Sequence, residues 1–337
     1  MIREAIEKVA GKIDLTETET REVFEDIMSG KAASADIKAF LEALRKKGET
    51  VTEITAAARV MRERSVRIDV GPDAVLDTCG TGGSAINAFN ISTTAAFVVA
   101  GCGVRVAKHG NRSASQQCGS ADVLEAIGVK IDISPELVTQ CIHEAGIGFM
   151  FAPVFHAAMK YAASARKELG GKTIFNILGP LSNPAGAAHQ IIGVYDVKLT
   201  ETMAEVLKNL GSERAFVAHG MDGLDEITIA DKTKISELKG GRVDTYDVGP
   251  EDFGLKKARL EDIKGGDVKE NAGMLLSVLK GSAVPARRDI VLANASAGLI
   301  CAGRSKNFKE GVKLAAESID SGRALDKLSK LIEMTSR

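Results

Sequence analysis

With 337 residues, 44 basic and 45 acidic side chains and a net charge of −1, the chain lacks the electrostatic footprint of a nucleic-acid or anionic-membrane binder. Aromatic residues are only 4% and tryptophan is absent, so stacking platforms for single-stranded nucleic acid are scarce. The length suits one large or two modest domains, and 45% hydrophobic with 26% charged residues is an ordinary soluble composition.

The opening segment, Met1 to Lys8, is charged and amphipathic and does not read as a secretory signal. No run approaches the roughly 18 apolar residues of a membrane span. The five cysteines, at positions 79, 102, 118, 141 and 301, form no C-x-x-C pair and read as free thiols of a reducing cytoplasm.

Residues 1 to about 70 read as helical. Ile2, Ile6 and Val9 recur at helical spacing, and Thr16 followed by acids caps a second helix whose apolar face carries Val23, Phe24, Ile27 and Met28. Gly30 ends it. Ile37, Phe40, Leu41 and Leu44 form a third face, stopped by Gly48, and Ile54, Ala58 and Met61 begin a fourth. Such short helices need a partner surface to be stable.

From Val75 the pattern becomes strand, glycine turn, helix, repeated. Strands are predicted at Val75-Leu76, Val104 to Ala107, Gly148 to Phe151, Ile191 to Tyr195 and Ala215 to Ala218. Helices are predicted over Thr93 to Ala100, Ala121 to Ile127, Glu136 to Glu144, Phe155 to Leu169 and Thr202 to Leu210, then Asn271 to Leu279, Ile290 to Ala302, Asn307 to Ile319 and Ala324 to Met334. Ile174 to Pro184 reads as an apolar loop, and Ile227 to Ile229 pairs with Lys234 to Leu238 in a predicted β-hairpin. The alternation predicts an α/β fold: a small all-helical N-terminal domain (1–70, joined by part of 155–190) and a large α/β domain (71–337) with a central, mostly parallel sheet.

Four polar or glycine-rich pieces interrupt the segment from Val75 to Val129: Gly80 to Gly83, Asn90 to Thr93, Lys108 to Arg112 and Gly119 to Asp122. Loops at strand ends that offer bare N–H groups, helix starts, hydroxyls and full positive charge suit one anion. Each piece alone also has a plain structural reading. Gly80 to Gly83 is a phosphate cradle or a tight turn. It fits a dinucleotide fingerprint poorly, because no helix opens at once and no acid follows about 20 residues on. Asn90 to Thr93 is a ligand loop or an N-cap. Lys108 to Arg112 is an anion site or a solvated basic turn, the former favoured by the donors Ser113, Ser115, Gln116 and Ser120 that follow. Asp225-Glu226, in a glycine-rich loop, is surface charge or an Mg²⁺ site, since Mg²⁺ favours one or two carboxylates plus substrate phosphates. Arg166 and His156, ten apart on one predicted helix, are surface groups or a carboxylate-binding wall.

Taken together, these stretches closely resemble the anthranilate phosphoribosyltransferases of tryptophan biosynthesis. The matching pieces are Asp77 to Gly83, Asn90 to Thr93, Val106 to Arg112, Gly119 to Asp122, Phe151 to Pro153, Asn176 to Pro184 and His219 to Glu226, in the family's order across most of the chain. The resemblance implies a Mg²⁺-dependent pentosyl transfer, in which the anthranilate amine attacks the anomeric carbon of phosphoribosyl pyrophosphate (PRPP) and pyrophosphate leaves. Carried over by motif, Gly80, Gly83 and Ser84 would line PRPP, as would Asn90, Ile91, Ser92 and Thr93. Lys108, His109, Gly110, Asn111 and Arg112 would cover it from the other side, with Ser113, Ala114, Ser115, Gln116 and Ser120. Asp225 and Glu226 would hold Mg²⁺, with Ser92 beside it. Asn111 and Arg166 would orient anthranilate, with Gly80, His109, His156 and Pro180 nearby.

The family usually writes Gly-Thr-Gly-Gly-Asp-Gly where this chain has Ser84-Ala85, and often Thr where it has Ala88. The resemblance further implies a cytoplasmic homodimer joined through the helical domain. Two other readings share the fold. A pyrimidine nucleoside phosphorylase would use free phosphate without Mg²⁺, and a non-catalytic nucleic-acid-binding relative would need a basic groove.

Overall fold

The computed structural model describes residues 1–71, 74–84, 86–113 and 118–336. Four helices come first: α1 (Ile2–Ala10), α2 (Glu17–Met28), α3 (Ser34–Lys47) and α4 (Val51–Glu63). Helices α2 and α4 each begin with a capping box. Thr16 Oγ1 accepts from the Glu19 N–H at 3.2 Å while Glu19 returns a bond to the Thr16 N–H at 3.0 Å, and Thr50 and Glu53 repeat the device. Glu53 is wholly buried, and its carboxylate also takes the Leu15 N–H at 3.0 Å and the Lys47 ammonium at 2.9 Å. One buried acid therefore joins α4 to the α1–α2 turn and to the end of α3.

The α/β part follows as β1 (Leu76–Gly80), α5 (Ile91–Gly101), β2 (Val106–Gly110), α6 (Ser120–Ala126), α7 (Pro135–Glu144), β3 (Ile147–Phe151), α8 (Ala152–Phe155), α9 (Lys160–Leu169) and α10 (Phe175–Leu178). It continues with β4 (His189–Gly193), α11 (Leu199–Asn209), β5 (Arg214–Gly220), β6 (Thr233–Lys239), β7 (Arg242–Val248), α12 (Val268–Leu279), α13 (Pro285–Cys301), α14 (Phe308–Asp320) and α15 (Arg323–Thr335). The seven strands form one sheet in the order β3-β2-β1-β4-β5-β6-β7. The first five are parallel, and the last two are antiparallel additions.

Strand residues alternate between two cores. Ile191, Phe216 and Ala218 join the core built on α5, α13 and α15, whereas Ile192, Ala215 and Val217 join the core that contains α11. Period-2 side-chain direction thus buries both faces of the parallel sheet. The second core runs without a break into the helical lobe, through Phe24, Phe40 and Ile54 and through Ala162, Ala165, Phe175 and Leu178 of α9 and α10. All five cysteines are free, and no helix among the described residues is long and apolar enough to cross a membrane.

Three local expectations need correction. The predicted helix from Phe155 to Leu169 is broken: α8 ends at Phe155, His156 leaves helical geometry (φ −124°, ψ 53°), and α9 starts at Lys160 after a 3₁₀ turn. Pro153 lies in the first turn of α8, where its missing N–H is harmless. His156 and Arg166 therefore do not share a helix. The apolar loop from Ile174 to Pro184 contains the short α10, preceded by a Thr173 N–H to Asn176 Oδ1 bond of 2.9 Å. The hairpin is β6 with β7, turning through Gly240 and Gly241, both at positive φ as a two-residue turn requires. Ile227 to Ile229 is not a strand; Asn294 on α13 bonds both the N–H and the carbonyl of Ile227, at 3.1 and 2.9 Å. The charged, mostly exposed edge strand β7 gave no apolar signal.

Candidate active site

The strand order places the topological switch beside β1, whose chain continues to β2 on one side while β4 lies on the other. Ligands in such sheets sit beyond the carboxyl ends of the strands at that point. There the structure has a cleft of about 740 Å³. β1 ends in the glycine loop, β2 in Gly110, and β5 in the loop bearing Asp225 and Glu226.

Two glycines set this arrangement. A Cβ on Gly193, at the end of β4, would lie 1.7 Å from the Asp225 carbonyl oxygen, so only glycine lets the acidic loop cross there. A Cβ on Gly110 would meet Ser120 Oγ at 2.2 Å, which brings the start of α6 onto the end of β2. The glycine loop is tied in turn to β4: the Thr81 N–H donates to the Gly193 carbonyl at 2.9 Å, and the Tyr195 N–H to Thr81 Oγ1 at 3.0 Å.

Beneath the cleft, Asp77 on β1 is wholly buried. It accepts the His109 N–H at 3.1 Å and Asn183 Nδ2 at 2.8 Å, and Asn183 Nδ2 also reaches the Ala107 carbonyl at 2.9 Å. Burial raises the Asp77 pKa against the pull of nearby Lys108. Lys108, itself buried, turns its ammonium onto the Thr78 carbonyl, and Thr78 Oγ1 donates to the Ser92 carbonyl at 3.0 Å. The ends of β1, β2 and α5 are thereby locked together.

The acidic loop faces the start of α5. The Ser92 N–H donates to Glu226 Oε1 at 3.2 Å. Desolvation raises the pKa of Glu226 first, and repulsion from Asp225 adds to it. Desolvation raises Asp225 as well. Two half-buried carboxylates with no cation within ion-pair distance among the described residues make a hard, oxygen-only donor pair, which suits Mg²⁺. No cluster of three His, Cys, Asp or Glu occurs among the described residues, so any such ion would draw further ligands from hydroxyls, water or substrate.

On the opposite wall, Arg166 of α9 is half-buried and holds its guanidinium 5.3 Å over the Phe175 ring. No carboxylate pairs with it among the described residues, and desolvation lowers its pKa. His109 and His156 stack with ring centroids 4.9 Å apart. His109 Nδ1 lies 3.2 Å from the Gly179 carbonyl, which can only accept, so that nitrogen carries the proton. Desolvation acts first on both rings: it pushes His109 down to about 3, helped by His156, and His156 down to about 4.

The cleft is lined by Gly80, Gly83, Asn90, Ile91, Ser92 and Thr93, by Lys108, His109, Gly110, Asn111, Arg112, Ser113 and Ser120, and by His156, Arg166, Pro180, Asp225 and Glu226. Ser84 is outside that lining; its Oγ donates to the Gly223 carbonyl at 2.8 Å, tying the glycine loop to the acidic loop. Arg112 borders the cleft, but its guanidinium is engaged by Asp122 at 3.1 Å and Glu125 at 2.7 Å. Ala114, Ser115 and Gln116 lie outside the described residues, as does Ala85. Sequence reasoning gave no role to Met159, Phe175 and Asn176, which also line the cleft, or to the Asp77–Asn183 support beneath it. The punctuation at Asn176 and Asn183-Pro184 was the available signal.

A fold of this kind with this cleft defines a glycosyl transferase. The family model for the glycosyl transferase family a/b domain matches residues 72–325, and that for its helical bundle domain matches residues 3–65. The anthranilate phosphoribosyltransferase of Geotalea uraniireducens is 53% identical, covering 99% of both chains, and that of Syntrophobacter fumaroxidans is 54% identical with the same coverage. Among solved structures, anthranilate phosphoribosyltransferase from Thermus thermophilus superposes with a TM-score of 0.93 at 42% identity, covering 99% of each chain. The Saccharomyces cerevisiae enzyme in complex with PRPP and Mg gives 0.92 at 29% identity, covering 99% of this chain and 98% of that one. The chain belongs to the anthranilate phosphoribosyltransferase family.

Proposed function

We propose that this protein transfers phosphoribosyl from PRPP to the amine of anthranilate, releasing pyrophosphate, as a step of tryptophan biosynthesis. The observation that carries the reading is one cleft with a glycine loop and the half-buried Asp225 and Glu226 on one side and, on the other, Arg166, a cation with no carboxylate partner among the described residues. In this reading PRPP occupies the loops at the ends of β1 and β2 and the start of α5. Gly80, Gly83, Asn90, Ile91, Ser92 and Thr93 line it there; Lys108, Gly110, Asn111, Ser113 and Ser120 cover it. Ser84 and Arg112 act through the loops that they pin. Asp225 and Glu226, beside Ser92, would hold Mg²⁺, which would supply charge neutralisation for the departing pyrophosphate.

The backbone N–H groups of Gly82 and Gly83 in the glycine loop are fixed donors that need no reorganisation as negative charge builds on the leaving group. Arg166 holds the carboxylate of anthranilate, and Asn111 with Gly80 turns the ortho amine toward the anomeric carbon, a positioning effect. His109 and His156 stay neutral and, with Pro180, form an uncharged wall for the ring. An aromatic amine is unprotonated at neutral pH, so attack needs no strong base and none is assigned.

The same reading takes 1–70 with part of 155–190 as the acceptor-side lobe and 71–337 as the PRPP-binding domain. It makes the protein a cytoplasmic homodimer joined through the helical lobe, supported by the free thiols and by the exposed apolar side chains Met1 and Ile13 there. The test is to incubate the protein with PRPP, Mg²⁺ and anthranilate and measure pyrophosphate. Release that requires anthranilate supports the transfer; release without it, or none, opposes it.

A further inference from the structure

Lys172, in the turn between α9 and α10, has no part in the site described above. Its ammonium lies 3.5 Å from the centre of the Tyr195 ring, and it makes no hydrogen bond or ion pair through that ammonium among the described residues. A Cβ on Gly83 would come within 2.9 Å of Lys172 Cε and 3.5 Å of Nζ, so the lysine rests directly on the glycine loop. Gly83 has φ +75°, which suits glycine on its own account, and its missing side chain is also what admits the lysine.

Both sides of this contact are anchored. Tyr195 is tied to the glycine loop by its N–H bond to Thr81 Oγ1 at 3.0 Å. The turn that carries Lys172 is held by Arg45 of α3, whose Nη1 donates to the Gly170 carbonyl at 2.9 Å. Desolvation lowers the Lys172 pKa, and Asp225 and Asp196 oppose the fall. A cation with no carboxylate within ion-pair distance among the described residues, held against the glycine loop, is free to pair with an anion bound there.

We infer that Lys172 is a PRPP-binding residue: a cation delivered by the acceptor-side lobe onto a phosphate group held at the glycine loop. The inference rests on the proposed function for the identity of the anion. It also gives the two walls a link, because one short stretch of chain carries both Arg166 and Lys172. A lysine is a point charge on a flexible stem, able to follow such an anion.

The test compares Lys172→Met, which keeps the stem and removes the charge, with Lys172→Arg, which keeps the charge. The affinity for PRPP with Mg²⁺ is read by calorimetry, and the two KM values by steady-state assay. The inference predicts that Lys172→Met weakens PRPP binding about tenfold, leaves the anthranilate KM within about twofold, and is largely rescued by Lys172→Arg. If the lysine only props the loop, Lys172→Met binds PRPP within about twofold of the parent, and the inference is overturned. Lys172→Gln serves as the second uncharged variant should the methionine variant not fold. A parent that binds PRPP but does not consume anthranilate overturns the acceptor reading and leaves this inference to the calorimetry. A parent that binds no PRPP overturns both.

Discussion

Asn183 Nδ2 lies 2.8 Å from Asp77 Oδ2, joining the end of the Gly179–Pro184 turn to the strand that leads into the glycine loop. The two residues are 106 positions apart, and both are buried. Asn183→Ala removes this bond and the one to the Ala107 carbonyl, leaving a buried carboxyl under-satisfied. Such a loss costs about 3 kcal/mol. Urea unfolding should show it as a lower midpoint with an unchanged slope, whereas a midpoint within error of the parent would mean that the cleft floor does not depend on the pair.

Gly193→Ala tests how the acidic loop is positioned. The added methyl would sit 1.7 Å from the Asp225 carbonyl oxygen, a backbone atom that cannot swing aside. Displacing a positioning group by about 1 Å can cost about 100-fold in rate. The expected result is a loss of that order with a Mg²⁺ titration shifted to higher concentration, as also expected for the double variant Asp225→Asn, Glu226→Gln. An unchanged metal titration in both would refute the metal assignment.

Arg166→Ala should raise the KM for anthranilate about 10- to 100-fold, the value of a charged hydrogen-bonded contact, and leave the KM for PRPP nearly unchanged. Equal rises in both constants would remove Arg166 from the acceptor side.

The stacked pair His109 and His156 makes a pH prediction. Burial lowers their pKa values to about 3 and about 4, from 6.5 in an unfolded chain. Above pH 6.5 both are neutral in either state and contribute nothing. Below it the unfolded chain takes up protons that the fold refuses. Stability therefore falls with acidification through that window, by up to about 1.4 kcal/mol per pH unit for each ring. Imidazole proton shifts followed by NMR should stay flat between pH 8 and 5; a midpoint near 6.5 for either ring would show it exposed and charged.

The sequence was most legible where chemistry is local. Thr16 announced its helix cap, and around the cleft the glycine and Lys108 to Arg112 stretches lie at strand ends and Asn90 to Thr93 at the start of α5. Less legible were features set by tertiary contact. The helix breaks at His156, which is not a helix-breaking residue and whose ring stacks on His109. Arg112 reads as an anion ligand in the sequence, yet Asp122 and Glu125 on α6 take its guanidinium. The edge strand β7 is short of apolar residues and mostly exposed, so its pairing with β6 is signalled chiefly by the Gly240-Gly241 turn. Gly193 and Asp225 approach each other through the backbone, which no side-chain pattern records.

The central claim is that one cleft holds PRPP and anthranilate together and joins them. Its most direct measurement is the fluorescence of anthranilate mixed with the protein, PRPP and Mg²⁺. The account predicts a loss of fluorescence that requires both PRPP and Mg²⁺. A constant signal, with PRPP bound by calorimetry, would contradict the choice of acceptor; a constant signal with no PRPP bound would contradict the transferase reading itself.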